Sequence, residues 1–225
     1  MTTMMVKELG SVHRKWFQHL HHQHLDAIIR GEDIPSFFMV DFIGVYDRVS
    51  PPDMCRRIID FFEDNKQLQF RGRYALDGEI IRDPKVKDSK DIALSFNDGT
   101  VPSTIIGNIL QKHTDVYLDT FRSTHVVDAF SVEMGYNLQR YNPSQGYHLL
   151  HCENSGRGME RVLAWTLYLN TVTDGGGTYF PEYDKTIDAL EGRLCIFPAF
   201  WTHTHKGIVS NTQTKYIATG WYVYH

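Results

Sequence analysis

The run from Tyr147 to Glu153 reads YHLLHCE and holds the pair of side chains with the most chemical content. In an extended segment residues i and i+2 point to the same side, so His151 and Glu153 can grip one metal ion. A further histidine comes about fifty positions later, in the run Phe200 to Gly207 (FWTHTHKG). Two histidines and one carboxylate make a facial triad, which leaves positions open on iron(II) for a bidentate oxoacid and O₂. Lys215 lies ten residues after His205, Tyr141 lies ten residues before His151, and Tyr168 sits in a later apolar run. An ammonium and two phenols suit the far carboxylate of a dicarboxylic oxoacid, the lysine giving charge and the hydroxyls directed hydrogen bonds. His203 competes with His205 for the third ligand place, and the offset to Lys215 favours His205. His148 lacks an acid two positions on and is read as a surface or supporting residue. Cys152, between two ligands, points to the opposite face and is read as core packing.

These residues need a scaffold, and the second half of the chain offers one. From about residue 125 the sequence breaks into short β-rich runs separated by the turn segments NPSQG, NSGRG, TDGGG and VSNTQ. Many short strands with Gly, Asn and Pro turns imply a sandwich or barrel. The glycines at 175–177 form a turn rather than a phosphate cradle, because no helix and no Lys-Ser/Thr follow them. Upstream, residues 37–46 are aromatic and β-branched and predict one strand. Ser50-Pro51-Pro52-Asp53 starts a helix with Asp53 as its cap and Cys55, Ile58, Ile59 and Phe62 on its buried stripe. A second helix is predicted over residues 102–122, with Ile105, Ile109, His113, Val116 and Tyr117 on one face. Residues 71–91 are polar, with two glycines and a proline, and read as a surface loop able to act as a lid. Residues 12–30 predict a further helix, whose five histidines lie at irregular spacing on a polar face.

The 225 residues suit one domain: residues 1–124 as a helical support region and 125–225 as the catalytic core. The net charge of −4 argues against a nucleic-acid backbone as the main partner, which needs a basic surface. Three widely spaced cysteines without a CxxC pair exclude a disulfide framework or cysteine-rich zinc site. The first residues lack the apolar core of a signal peptide, and no apolar run is long enough to span a bilayer. A cytoplasmic or other intracellular location, with no membrane partner, is the expectation.

Five blocks in fixed order resemble the prolyl-4-hydroxylase family of iron(II)/2-oxoglutarate-dependent dioxygenases. They are Tyr141 through His151-Cys152-Glu153, the run Arg161 to Asn170, Gly175 to Pro181 (like the family's GGxTxFP), Gly192 to Pro198, and His205 with Lys215 and Trp221. The resemblance covers residues 125–225 and extends less specifically to residues 37–65. It implies a mostly β fold with N-terminal helices, a double-stranded β-helix or distorted jelly roll. It implies Fe(II), 2-oxoglutarate and O₂, with ascorbate as an accessory. His151, Glu153 and His205 would ligate iron as the catalytic set. Lys215 would pair with the C5 carboxylate of 2-oxoglutarate, and Tyr141 and Tyr168 would hydrogen-bond it. Thr219 and Trp221 follow Lys215 at even offsets and would line the same pocket, with Thr178 at its border. Glu153 departs from the Asp usual in the family; its extra methylene moves the carboxylate oxygens.

The implied reaction hydroxylates a C–H bond of a prolyl residue in a peptide or protein and releases succinate and CO₂. Rival readings make other demands. The same cofactor chemistry on another amino acid or a small molecule needs only a different outer pocket. Action on nucleic acid would need a basic groove. A non-catalytic β-helix binding module would need a broken triad. A zinc hydrolase built on the same three ligands would show no dependence on 2-oxoglutarate. No pattern in the sequence selects an oligomeric state.

Overall fold

The computed structural model describes residues 37–76 and 79–225, so the helix expected at 12–30 lies outside the described residues. In chain order the strands are β1 (Phe37–Val40), β2 (Ile43–Tyr46), β3 (Phe70–Arg71), β4 (Tyr74–Leu76), β5 (Glu79–Ile81) and β6 (Lys90–Ser95). They continue with β7 (Phe130–Tyr141), β8 (Arg161–Tyr168), β9 (Thr178–Phe180), β10 (Lys185–Ile187), β11 (Leu194–Pro198), β12 (Lys206–Gly207) and β13 (Lys215–Tyr224). Two helices, α1 (Pro52–Asp64) and α2 (Val101–Thr120), interrupt the first group. Eight strands form one sheet in the order β1-β2-β11-β8-β13-β7-β6-β3, and β10-β9-β12 form a smaller one.

Side-chain parity decides which layer each residue joins. On β8 Trp165 and Leu167 enter the core shared with the helices, while Ala164 and Tyr168 enter the core on the opposite face. On β11 Leu194 and Ile196 face the helices, and Cys195 and Phe197 face the other side. Both faces of these central strands are covered, so β11 reads as the unbroken apolar run LCIF. The helices contribute Cys55, Ile58, Ile59 and Phe62 from α1 and Ile106, Ile109, Leu110 and Tyr117 from α2. The second core includes Phe180 of β9 and Ile187 of β10, so the small sheet caps that face. Mostly β, with a large and a small sheet enclosing a core and helices on the outer side, this is the distorted jelly roll that the resemblance implied.

Several local expectations need correction. Residues 37–46 form a hairpin, not one strand: β1 and β2 pair antiparallel with Val40 opposite Ile43. The turn residues Asp41 and Phe42 both have positive φ, 52° and 60°. Such a turn matches the twist of the strands, but the usual glycine or asparagine signal is missing. α1 begins two residues earlier than expected, at Pro52, and its N-cap is Pro51 rather than Asp53. Asp53 lies in the first turn, where its charge meets the helix dipole without capping it. Residues 71–91 are not one open loop, because β4 and β5 pair as a hairpin and Lys87, Ser89 and Asp91 are buried. Strands from before residue 125 join the large sheet as well, β2 pairing with β11 and β6 with β7.

Candidate active site

Backbone hydrogen bonds bring the histidine-bearing segments together. The N–H of His151 donates to the carbonyl of His205 at 3.1 Å, and the N–H of His205 donates back at 2.8 Å. The N–H groups of Glu153 and Asn154 both donate to the carbonyl of Ala199, at 3.0 and 2.8 Å. His151 thus sits in an isolated bridge and Glu153 in a bend, rather than in the regular strand that their spacing suggested.

Each ring nitrogen has a defined task. Nδ1 of His151 is 2.8 Å from the Leu149 carbonyl, and Nδ1 of His205 is 3.0 Å from the His203 carbonyl. A carbonyl only accepts, so both Nδ1 atoms carry the proton and both Nε2 atoms present bare lone pairs. Those Nε2 atoms lie 3.4 and 3.5 Å from Oε1 of Glu153. The three donor atoms fall within 4.8 Å of one another, a set that fits one metal ion. Burial pushes the Glu153 carboxyl up, but the adjoining His151 and His205 rings outweigh it and hold it well below the usual carboxylate range. Burial, with the neighbouring His151 ring, lowers His205 below the ordinary histidine value, which keeps its lone pair free at neutral pH. His203 turns away, its Nε2 2.8 Å from the Asp41 carbonyl. Cys152 is half-buried beside the Asn154 carbonyl and is not part of either core, contrary to expectation.

The other oxygen of Glu153 is engaged elsewhere. Oε2 accepts the indole N–H of Trp221 at 2.8 Å and has Nη1 of Arg161 at 3.5 Å. The Arg161 guanidinium lies over the Trp221 ring, 3.5 Å from its centre. The longer glutamate arm therefore spans from the indole to the imidazoles and offers one oxygen to a metal. Trp221→Phe removes this restraint, and metal affinity is expected to fall about 10- to 100-fold. A Mn(II) titration checks it; an unchanged affinity would reduce the indole to packing.

A cavity of about 370 Å³ opens next to the triad. Lys215, Tyr141, Tyr168, Thr178, Thr219 and Trp221 all line it. Register explains the convergence: Lys215 of β13 stands opposite Tyr141 of β7, and Ile217 stands opposite Tyr168 of β8. The Lys215 ammonium is 4.8 Å from the centre of the Tyr141 ring. Lys215 is only 8% exposed, and burial lowers its pKa from 10.5 to about 8. Among the described residues no carboxylate pairs with it. The Tyr168 hydroxyl bonds Thr178 Oγ1 at 2.7 Å, Thr219 donates to the Trp165 carbonyl at 2.9 Å, and Tyr141 donates to Oε1 of Gln139 at 2.8 Å.

Sequence reasoning missed Gln139, Asp91, Lys87, Arg161 and Tyr147, which line the same cavity. Gln139 is two positions before Tyr141, so strand parity could have found it. Tyr147 stacks on the His151 ring with centres 4.0 Å apart, and no pattern signals that.

Residues 136–223 match the family described as the 2OG-Fe(II) oxygenase superfamily. A protein of Acanthamoeba polyphaga mimivirus named as a prolyl 4-hydroxylase is 23% identical over 201 residues, 80% of this chain and 77% of that one. The fold is shared with a prolyl hydroxylase from Trichoplax adhaerens solved with a hypoxia inducible factor peptide (TM-score 0.64, 15% identity, 82% of this chain, 84% of that one). It is also shared with the viral collagen prolyl hydroxylase of Paramecium Bursaria Chlorella virus-1 in its 2OG complex (TM-score 0.58, 18% identity, 82% and 97%). The matched residues contain β8 and β11, the second half of β7 and nearly all of β13, together with all three members of the triad. Over these residues the chain is similar to the 2OG-Fe(II) oxygenase superfamily and to its prolyl 4-hydroxylase-like members, a likeness that implies iron(II), 2-oxoglutarate and O₂ as its cofactors.

Proposed function

We propose that the protein hydroxylates a C–H bond of a prolyl residue in a peptide or protein, turning 2-oxoglutarate into succinate and CO₂. One observation carries the reading: a buried ammonium without a carboxylate partner shares a cavity with a convergent two-histidine, one-carboxylate set. His151, Glu153 and His205 hold the iron, which supplies the oxidising chemistry once 2-oxoglutarate and O₂ are bound. Lys215 takes the far carboxylate of 2-oxoglutarate, an anion that relieves the cost of its burial. Tyr168 and Thr178 offer hydroxyls at that end, Tyr141 forms a wall, and Thr219 and Trp221 complete the lining. The names of the mimivirus and Trichoplax proteins support a prolyl substrate in a peptide or protein. Tyr74 and Tyr147, with ring centres 6.4 Å apart, both line the cavity and suit an apolar ring such as that of proline. Arg73, Tyr74, Ile80 and Lys87 of the segment 71–91 line the same cavity, and we assign that segment the cover over the substrate. In this reading residues 1–124 support a catalytic core at 125–225.

Anaerobic titration of the apoprotein with iron(II) and 2-oxoglutarate tests the cofactor part. A weak charge-transfer band in the visible, absent in His151→Ala, is expected. No band would move the zinc-hydrolase and binding-module readings forward. Incubation with prolyl peptides and O₂, followed by mass spectrometry for one added oxygen atom, tests the substrate; an unmodified peptide beside consumed 2-oxoglutarate would redirect the search to other substrates.

The pH dependence of cosubstrate binding follows from Lys215. In the free pocket burial holds it at about 8, and a bound carboxylate raises it. Below that value the lysine is charged with or without ligand, and affinity is flat. Above it binding takes up a proton, and affinity falls by up to about tenfold per pH unit. Tyr141 and Tyr168, the phenols beside it, are pushed up by burial and stay neutral there. Calorimetry in two buffers of different ionisation enthalpy should reveal the proton uptake; a buffer-independent heat in the alkaline range would refute it.

A further inference from the structure

Two buried lysines, Lys87 and Lys215, face the same cavity, and only one is paired. Lys87 bonds Oδ2 of Asp91 at 2.9 Å, and Ser89 donates to Oδ1 of Asp91 at 2.7 Å. The same Oδ2 accepts Nε2 of Gln139 at 3.3 Å, and Gln139 stands opposite Asp91 in the β6–β7 ladder. A carboxylate only accepts, so this contact fixes which end of the Gln139 amide is which. Oε1 must point the other way, where it accepts the Tyr141 hydroxyl. Tyr141 in turn carries on its ring face the ammonium of Lys215, the residue opposite it in the β7–β13 ladder. The whole chain is buried, with Lys87 8%, Asp91 2%, Gln139 6% and Tyr141 4% exposed. It therefore runs in one direction from a neutralised lysine to an unneutralised one.

From this chain we infer that Gln139, oriented by the Lys87–Asp91 pair, is a positioning residue for 2-oxoglutarate: it holds the Tyr141 ring under Lys215, so that the ammonium is fixed where the cosubstrate's far carboxylate arrives. The inference rests on the cofactor part of the proposed function. It also explains why the distal carboxylate selects one lysine of two, since Asp91 already satisfies Lys87. Tyr141 acts through its ring, because its hydroxyl proton is committed to Gln139. If Tyr141 instead served as a direct donor to the carboxylate, removing Gln139 would free the hydroxyl and strengthen binding.

The test titrates 2-oxoglutarate into Mn(II)-loaded protein by calorimetry. Gln139→Met keeps the size of the side chain and deletes both polar contacts. Its dissociation constant is expected to rise about tenfold, the scale of a desolvated cation–π contact. The Michaelis constant for 2-oxoglutarate should rise in step while the loss in kcat stays much smaller. Tyr141→Phe keeps the ring but not the contact to Gln139, and the double variant should be no worse than either single one, because both break the same link. Should Gln139→Met fail to take up Mn(II), Gln139→Asn, too short to reach Tyr141, replaces it with the same expectation. Unchanged or tighter binding in the Gln139 variant, or losses that multiply in the double variant, would overturn the inference alone. Absence of 2-oxoglutarate binding by the unaltered protein would overturn it together with the reading it rests on.

Discussion

His205→Ala is expected to reduce turnover to background and remove the visible band, whereas the neighbouring His203→Ala should leave both in place. The two side chains are two positions apart, yet they do different things. His205 presents a bare Nε2 3.5 Å from Glu153, because its Nδ1 proton is held by the His203 carbonyl. Without it the ion keeps one imidazole and one carboxylate. That loss should exceed the roughly 100-fold that removing a supporting hydrogen bond costs a metal site. His203 instead bonds the Asp41 carbonyl in the β1–β2 turn and is 3% exposed. Truncating it removes that hydrogen bond and should cost about 1 kcal/mol of stability. Iron titration and thermal melting of both variants separate the effects. Equal loss of metal in the two would show that the ligand assignment of His205 is wrong.

Lys215→Met should act in opposite directions on binding and on stability. The lysine's fall from 10.5 to about 8 means that folding buries a charge at a cost of about 3 kcal/mol. The sign is set by the charged form: below about pH 8 the ammonium is charged in the folded and unfolded chain alike, and the full cost applies. It fades as pH rises from about 8 towards 10.5. Methionine fills similar space without charge, so the apoprotein should melt higher at neutral pH. Binding of 2-oxoglutarate should weaken by about 100-fold, since a charge-assisted contact contributes up to roughly 3 kcal/mol. A variant that loses affinity and melts lower would mean that Lys215 has a stabilising partner other than the cosubstrate.

The convergence of His151 and Glu153 was readable because it depends on short-range spacing. His151 and Glu153 converge although the backbone between them is a bend, and a two-residue offset serves a bend as well as a strand. Lys215, Thr219 and Trp221 were readable because β13 keeps one face in the cavity along its length. The Lys87–Asp91–Gln139 chain was not. Its first two members lie in a segment whose glycines, proline and charges look like solvated loop, and burial of such charges depends on pairing that only the fold creates. The β1–β2 turn was hidden for a related reason. Asp41 and Phe42 adopt positive φ without the glycine that usually announces it, and Phe42 packs its ring 5.2 Å from that of Phe121, far along the chain.

Strand β13 follows the other strands of the large sheet in sequence yet lies between β7 and β8. During synthesis those two strands leave the ribosome with their facing edges unpaired, and such edges invite pairing with another chain. Lys215, Thr219 and Trp221 arrive on the strand that closes the gap. In the proposed function a nascent chain thus cannot hold 2-oxoglutarate before its sheet is complete, and the oxidising chemistry waits for a finished scaffold.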